Sequence, residues 1–145
     1  MRVSVIMRFM SKKKRKQENP GKVIIPVGHP KPPEQHEVDA AMVLALHYQT
    51  TVEFLKPVDD YRRTSPDITM FGVRWEIKSP KGSSKTTIKN QFQRASKQAR
   101  NVVIDTHRSK LKDKDIEKSV NFEIQKRPYL KKVLMIDKSK KILAI

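Results

Sequence analysis

The sequence predicts an α/β fold, a mixed β-sheet flanked by helices, preceded by a flexible basic arm. Three observations predict it. From position 34 onward, stretches with helical apolar spacing alternate with short runs of β-branched residues, the order expected of a layered α/β structure. Residues 11–33 instead hold Lys12, Lys13, Lys14, Arg15 and Lys16, then Pro20, Pro26, Pro30, Pro32 and Pro33, a composition that buries little and hydrogen-bonds little. The chain has 145 residues, one domain's worth, so the expected division is a proline-rich basic arm at 1–33 and a folded domain at 34–145.

Each element has its own justification. Within the arm, Val23, Ile24, Ile25 and Val27 can form a short strand that docks on the domain. Val38, Ala41, Met42 and Ala45 recur at helical spacing and place an amphipathic helix over 34–48. Residues 51–55 are rich in β-formers and read as a strand; 57–65, with its Asp, Arg, Thr and Ser, reads as a loop. A second strand over 67–71 and a third over 73–78 flank Gly72, which marks a tight turn. Pro80, Gly82, Ser83 and Ser84 make the next loop. Ile88, Phe92, Ala95 and Ala99 then predict a helix over about 85–100, with Lys89, Arg94, Lys97 and Arg100 on its outer face. The apolar run Val102, Val103, Ile104 predicts a strand over 101–106 buried on both faces. A charged helix or loop follows over 109–128. Two strands, 133–136 and 142–145, joined by a polar turn, close the chain.

Charge and composition bound the function. Lys and Arg number 32 against 15 Asp and Glu, a formal net charge of +17. Such a charge opposes compaction and favours a polyanionic partner, because neutralising each phosphate releases condensed counterions. Cysteine is absent, which excludes disulfides and thiolate metal sites. No apolar run is long enough to span a bilayer, and Arg8 interrupts the mildly apolar start without a cleavage site after it, so no signal peptide is expected and the cytoplasm is the expected compartment. The histidines lack metal-ligand spacing: His36 and His47 stand about three turns apart on one helix.

The chemistry is concentrated between Pro66 and Lys78. Side chains alternate across a strand, so Arg74, Glu76 and Lys78 share one face while Val73, Trp75 and Ile77 take the apolar face. If Gly72 lies in a two-residue turn, Asp67 faces Glu76 or Lys78, and either register puts it on their side. Two carboxylates and an ammonium then converge. Carboxylate oxygens can hold Mg²⁺, which polarises a phosphoryl oxygen and lowers the pKa of a bound water; Lys78 can position that water or neutralise charge on the phosphorane. An ordinary cross-strand salt bridge would use the same residue types. The added Asp at hairpin distance, the flanking Pro66 and Gly72 and the basic background favour chemistry.

Pro66-Asp67 followed by Glu76-x-Lys78 matches the PD-(D/E)xK nuclease signature. The longer runs Trp75-Glu76-Ile77-Lys78-Ser79-Pro80, Thr87-Ile88-Lys89-Asn90-Gln91 and Gln98-Ala99-Arg100-Asn101-Val102-Val103-Ile104-Asp105 are more specific. Over about residues 34–107 the chain resembles the C-terminal toxin domains of contact-dependent growth inhibition proteins, in particular the tRNA nuclease type. The resemblance implies a restriction-endonuclease-like core, a divalent metal (Mg²⁺, or Mn²⁺ or Zn²⁺), phosphodiester hydrolysis with tRNA as substrate, and a cognate immunity protein. It also implies an acid on the first helix, matched here by Glu37 with Glu34 and Asp39 as alternatives, and polar residues on the later helix, matched by Gln98 ahead of Gln91. The implied metal ligands are Asp67, Glu76 and Glu37; Lys81, Ser83, Lys85, Lys89 and Arg94 are the expected substrate-binding residues. A DNA endonuclease of the same fold and a non-catalytic basic nucleic-acid-binding protein are the alternatives.

Overall fold

The computed structural model describes residues 2–5, 21–28, 32–56, 67–94 and 100–145. The chain divides into two compact units, Met1–Arg74 and Trp75–Ile145.

The first unit holds β1 (Arg2–Val5), β2 (Lys22–Pro26), α1 (Gln35–Tyr48), β3 (Thr51–Phe54) and β4 (Asp67–Met70). β1 pairs antiparallel with β2, β2 parallel with β3, and β3 antiparallel with β4, giving the expected mixed sheet. The parallel β2–β3 pair requires a crossover, and α1 supplies it. Its buried face is Val38, Ala40, Ala41, Met42, Leu44 and Ala45, the predicted stripe widened by Ala40 and Leu44. The helix ends where Gln49 turns left-handed (φ 50°) and the Thr50 amide returns to the Ala45 carbonyl at 3.1 Å. Gly21 passes that end closely: at φ 82°, a Cβ there would stand 2.6 Å from the Ala45 oxygen, so only glycine fits.

Two differences from expectation fall in this unit. The docked strand expected near Val23 is present as β2, but Arg2–Val5 forms a second strand in the segment read as a flexible arm. Its alternating β-branched residues, Val3 and Val5, were too few to stand out beside the Lys and Pro run. Phe71 leaves the predicted strand for the turn. Phe71 (φ 59°) and Gly72 (φ 69°) both adopt left-handed backbone, the signature of a type I′ hairpin turn.

The second unit begins within β5 (Val73–Lys78) and continues through α2 (Lys85–Arg94), β6 (Asn101–Asp105), α3 (Asp113–Gln125), β7 (Lys132–Ile136) and β8 (Ile142–Ala144). β5, β6 and β7 are mutually parallel neighbours, with α2 and α3 as crossovers, and β8 returns antiparallel to β7. β6 is buried along its whole length, as predicted for a strand covered on both faces. Ile88 and Phe92 from α2 and Ile116 and Val120 from α3 pack with Val102, Ile104, Val133 and Met135 in one core. The register aligns Glu76 with Val102 and Lys78 with Ile104, so the two charged residues lie on the same sheet face as that core. Val73, grouped by alternation with the core residues Trp75 and Ile77, is exposed, because it stands directly beside the turn. Among the described residues no helix is long and apolar enough to cross a membrane.

Candidate active site

Within the first unit, β4 opens with Asp67, which is only 8% exposed. Its Oδ2 accepts a hydrogen bond from Arg74 Nε at 3.0 Å and a second from Arg74 Nη2. The type I′ turn makes this possible: it reverses the chain over two residues, returning Arg74 toward Asp67. The Arg74 side chain is 56% exposed, so the pair has one buried and one wet partner. Glu37, on the first turn of α1, is half-buried. Its Oε1 accepts the Glu34 amide at 2.7 Å, closing the helix N-terminus, where a carboxylate also favours the helix dipole. His36 Nδ1 lies 3.3 Å from Glu34 Oε2, and Asp39 accepts from Gln35. Glu34 and Glu37 are thus engaged at the helix N-terminus, and Asp39 in a side-chain pair with Gln35.

Within the second unit, β5 presents Glu76 and Lys78 two residues apart and therefore on one face. Lys78 Nζ is 3.2 Å from Glu76 Oε1, and their side chains are 3% and 12% exposed. An ion pair so nearly dry, beside the aliphatic side chains of β6, has a desolvation cost that roughly cancels its attraction, so it adds little to stability. Losing one partner, however, costs more than the pair is worth, because the other charge stays buried. Trp75 and Ile77 are buried on the opposite face, so Trp75 packs rather than offering a stacking surface.

The chain leaves β5 through a loop tied down from an unexpected direction. Arg108 Nη2 donates to the Ser79 carbonyl at 2.9 Å. The Lys110 amide donates to the Gly82 carbonyl at 2.8 Å, and Gly82 bridges Ser109. Arg108 Nε and Ser79 Oγ are buried and find no hydrogen-bond partner among the described residues. Sequence reading passed over Arg108, since nothing in a loop 30 residues downstream signals a tie to the residue after Lys78. Asp105 is also buried and accepts the His107 amide at 3.1 Å, fixing the entry to that loop.

Of the expected substrate-binding residues, Lys81, Ser83 and Lys89 are exposed. Gln98, Pro66 and the side chains of Lys85 and Arg94 lie outside the described residues. Ser84 Oγ accepts the Thr86 amide at 3.2 Å, so this serine caps α2. Among the described residues no three His, Asp or Glu side chains gather into a metal-ligand cluster. The expected donors Asp67, Glu76 and Glu37 offer carboxylate oxygens, the ligand type that hard divalent cations take.

The chain's relatives can be placed beside this geometry. No curated protein matches it. Among solved structures, the CdiA-CT/CdiI toxin and immunity complex from Burkholderia pseudomallei is similar, with a TM-score of 0.57 and 26% sequence identity over 76% of this chain and 81% of that one. The family model for the contact-dependent growth inhibition CdiA C-terminal domain matches residues 63–142, more than half of the chain, and takes in Asp67, Glu76, Lys78 and Gln98. The chain belongs to the contact-dependent growth inhibition CdiA C-terminal domain family.

Proposed function

We propose that this chain is a divalent-metal-dependent nuclease of the PD-(D/E)xK kind, a toxin that hydrolyses phosphodiester bonds in RNA, with tRNA as its substrate. The observation that carries the reading is the buried Glu76–Lys78 pair on β5, a charged couple whose desolvation has no structural return. The +17 charge supports a polyanionic substrate. The similar Burkholderia chain was solved as a toxin with its immunity protein; that supports the toxin role and a cognate immunity protein as partner.

In this reading Asp67 and Glu76, with Glu37 as a further carboxylate, are the residues that would hold a divalent metal ion through their oxygens. The ion, when bound, supplies Lewis-acid polarisation and a more acidic water. Lys78, fixed against Glu76, presents its ammonium where negative charge grows on the phosphorus-bound oxygens and lowers the barrier without reorganising. Arg74 keeps the Asp67 carboxylate in one orientation. Lys81, Ser83, Lys85, Lys89 and Arg94 take flanking phosphates, and Gln98 contacts the substrate near the scissile bond. Attack of water on phosphorus forms one P–O bond while the bond to the leaving oxygen breaks, and the proton the water gives up is balanced by the one the departing oxygen takes up.

The test is direct. Purified protein is incubated with total tRNA and, separately, with plasmid DNA, under Mg²⁺, Mn²⁺, Zn²⁺ or EDTA, beside Glu76→Ala and Lys78→Ala. Cleavage of tRNA that requires metal and is lost in both variants is the expected result. Cleavage persisting in either variant refutes the assigned site. Plasmid cleavage alone moves the substrate to DNA, and tight binding with no cleavage under any metal leaves a non-catalytic nucleic-acid binder.

A further inference from the structure

The outer side of the α2–α3 helix pair is unlike an ordinary solvated surface. Two adjoining grooves run along it, of 390 Å³ and 320 Å³, sharing Lys89 and Glu123 in their walls. Lys118, Phe122 and Lys126 recur every four residues and so line one face of α3 and its C-terminal cap. Phe122 is 57% exposed, more than any other large apolar side chain among the described residues. Lys126 Nζ lies 4.2 Å over its ring. The carboxylate in the walls, Glu123, is buried; Arg127 pairs with it at 2.7 Å, and Lys126 Nζ, on a half-exposed side chain, stands 3.9 Å from its other oxygen. What the grooves offer a ligand is therefore ammonium groups around one protruding aromatic ring.

We propose that this groove is a docking site for a single-stranded segment of RNA, separate from the Glu76–Lys78 site, with one base stacked on Phe122 and the flanking phosphates held by Lys118 and Lys126. The proposal rests on the nuclease reading for the choice of RNA, while the groove's own chemistry specifies a polyanion carrying flat rings. An apolar protein partner would bury Phe122 beside further exposed aliphatic side chains, whereas the neighbours here are lysines with Thr86, Ser119 and the buried Glu123. Lysines about an aromatic ring are the pattern of single-strand binding: the ring stacks on any base, and the cations follow the backbone. The ammonium on one side of the ring leaves the other side for the base. A helix face so placed lets a long RNA be gripped away from the bond that is cut.

The test uses the full chain and a fluorescein-labelled single-stranded RNA oligonucleotide, with EDTA present so that binding is read without hydrolysis. Phe122→Ala is expected to raise Kd about tenfold, the size of one lost base–aromatic stack, and Phe122→Tyr to restore it to within about twofold. Lys118→Gln with Lys126→Gln is expected to flatten the slope of log K against log salt by roughly 1.4, about 0.7 for each phosphate released on a single strand. Phe122 is exposed, so both substitutions leave the core intact, and unchanged melting temperatures verify it. An unchanged Kd in Phe122→Ala, or an unchanged salt slope in the double lysine variant, overturns the proposal. So does a Phe122→Ala protein that binds RNA normally but has lost an acidic protein partner. Failure of the nuclease reading looks different: wild-type protein binds the oligonucleotide through the groove yet cleaves no nucleic acid under any metal.

Discussion

Asp67 on β4 and Glu76 on β5 are each held by a basic side chain a few residues away, yet the two pairs are built on opposite plans. Asp67 is buried but its partner Arg74 is more than half exposed. Glu76 and its partner Lys78 are both nearly dry. An exposed guanidinium can swing into water and give up its carboxylate at little cost, since surface ion pairs are worth roughly 0–1 kcal/mol. A buried ammonium has no such exit. The contrast assigns different duties to two similar acids: Asp67 can trade its partner for an incoming ligand, whereas Glu76 must act together with Lys78.

The contrast breaks most visibly at the dry pair. Glu76→Ala leaves the Lys78 ammonium buried and is expected to lower unfolding free energy in urea by about 3–5 kcal/mol, whereas the double change Glu76→Gln, Lys78→Met recovers most of that loss. A single-variant loss below about 1 kcal/mol would show that water reaches the pair. Next in size is the wet pair. Arg74→Ala is expected to cost up to about 1 kcal/mol, the range of an ion pair with an exposed partner, and Asp67→Asn a similar amount. Asp67→Asn alone also reduces metal-supported cleavage by about a hundredfold or more, the loss typical of one electrostatic contact to the reacting group. Equal cleavage in Asp67→Asn and wild type would remove Asp67 from the chemistry.

A smaller effect sharpens the role of the turn. Phe71 holds a left-handed conformation that costs a bulky residue about 1–2 kcal/mol, and Asn suits that position in a type I′ turn. Phe71→Asn should therefore raise the urea midpoint, by about 1 kcal/mol of stability, with the Asp67–Arg74 pair intact. A fall instead would mean that the edge contact of the Phe71 ring with Tyr48, 5.2 Å between centroids, outweighs the strain. The smallest effect is a control in the turn after β7, outside both pairs. Burial works to raise the Asp137 carboxyl, but hydrogen bonds from the Ser139 side chain and from the Lys141 and Ser139 amides, with the Lys141 charge, outweigh it and hold the group below its ordinary 3.8. The stability it contributes is complete above that value and lost as pH falls through the lower, folded-state value. Melting temperatures of wild type and Asp137→Asn should then differ at neutral pH and converge as pH is taken below 3.8. A gap independent of pH would place the effect in packing.

Much of the architecture could be read from periodicity alone. The amphipathic pattern placed α1 over 34–48 and it runs Gln35–Tyr48; the strand 73–78 is β5 residue for residue. The burial of Trp75 and of every residue of β6 followed from alternation and from an unbroken apolar run. Harder were features decided by partners distant in sequence. β1 forms because β2 offers it an edge, which no local pattern in Arg2–Val5 announces. The Glu76–Lys78 contact was legible as an i, i+2 pair, but its dryness was not, because the aliphatic side chains beside it come from β6. Arg74 as the partner of Asp67 was visible only as one more residue on the same face. Arg108, reaching Ser79 across 29 positions, left no sequence signal at all.

In the second unit the strands lie side by side in the order in which they are synthesised, β5 to β8, each joined to the next by a helix or a turn. Assembly from an extended polymer can therefore proceed by simple accretion, every new strand docking on the one before it, with no segment having to insert between two that have already joined. A molecule wired in this way can be unravelled and rewound from one end.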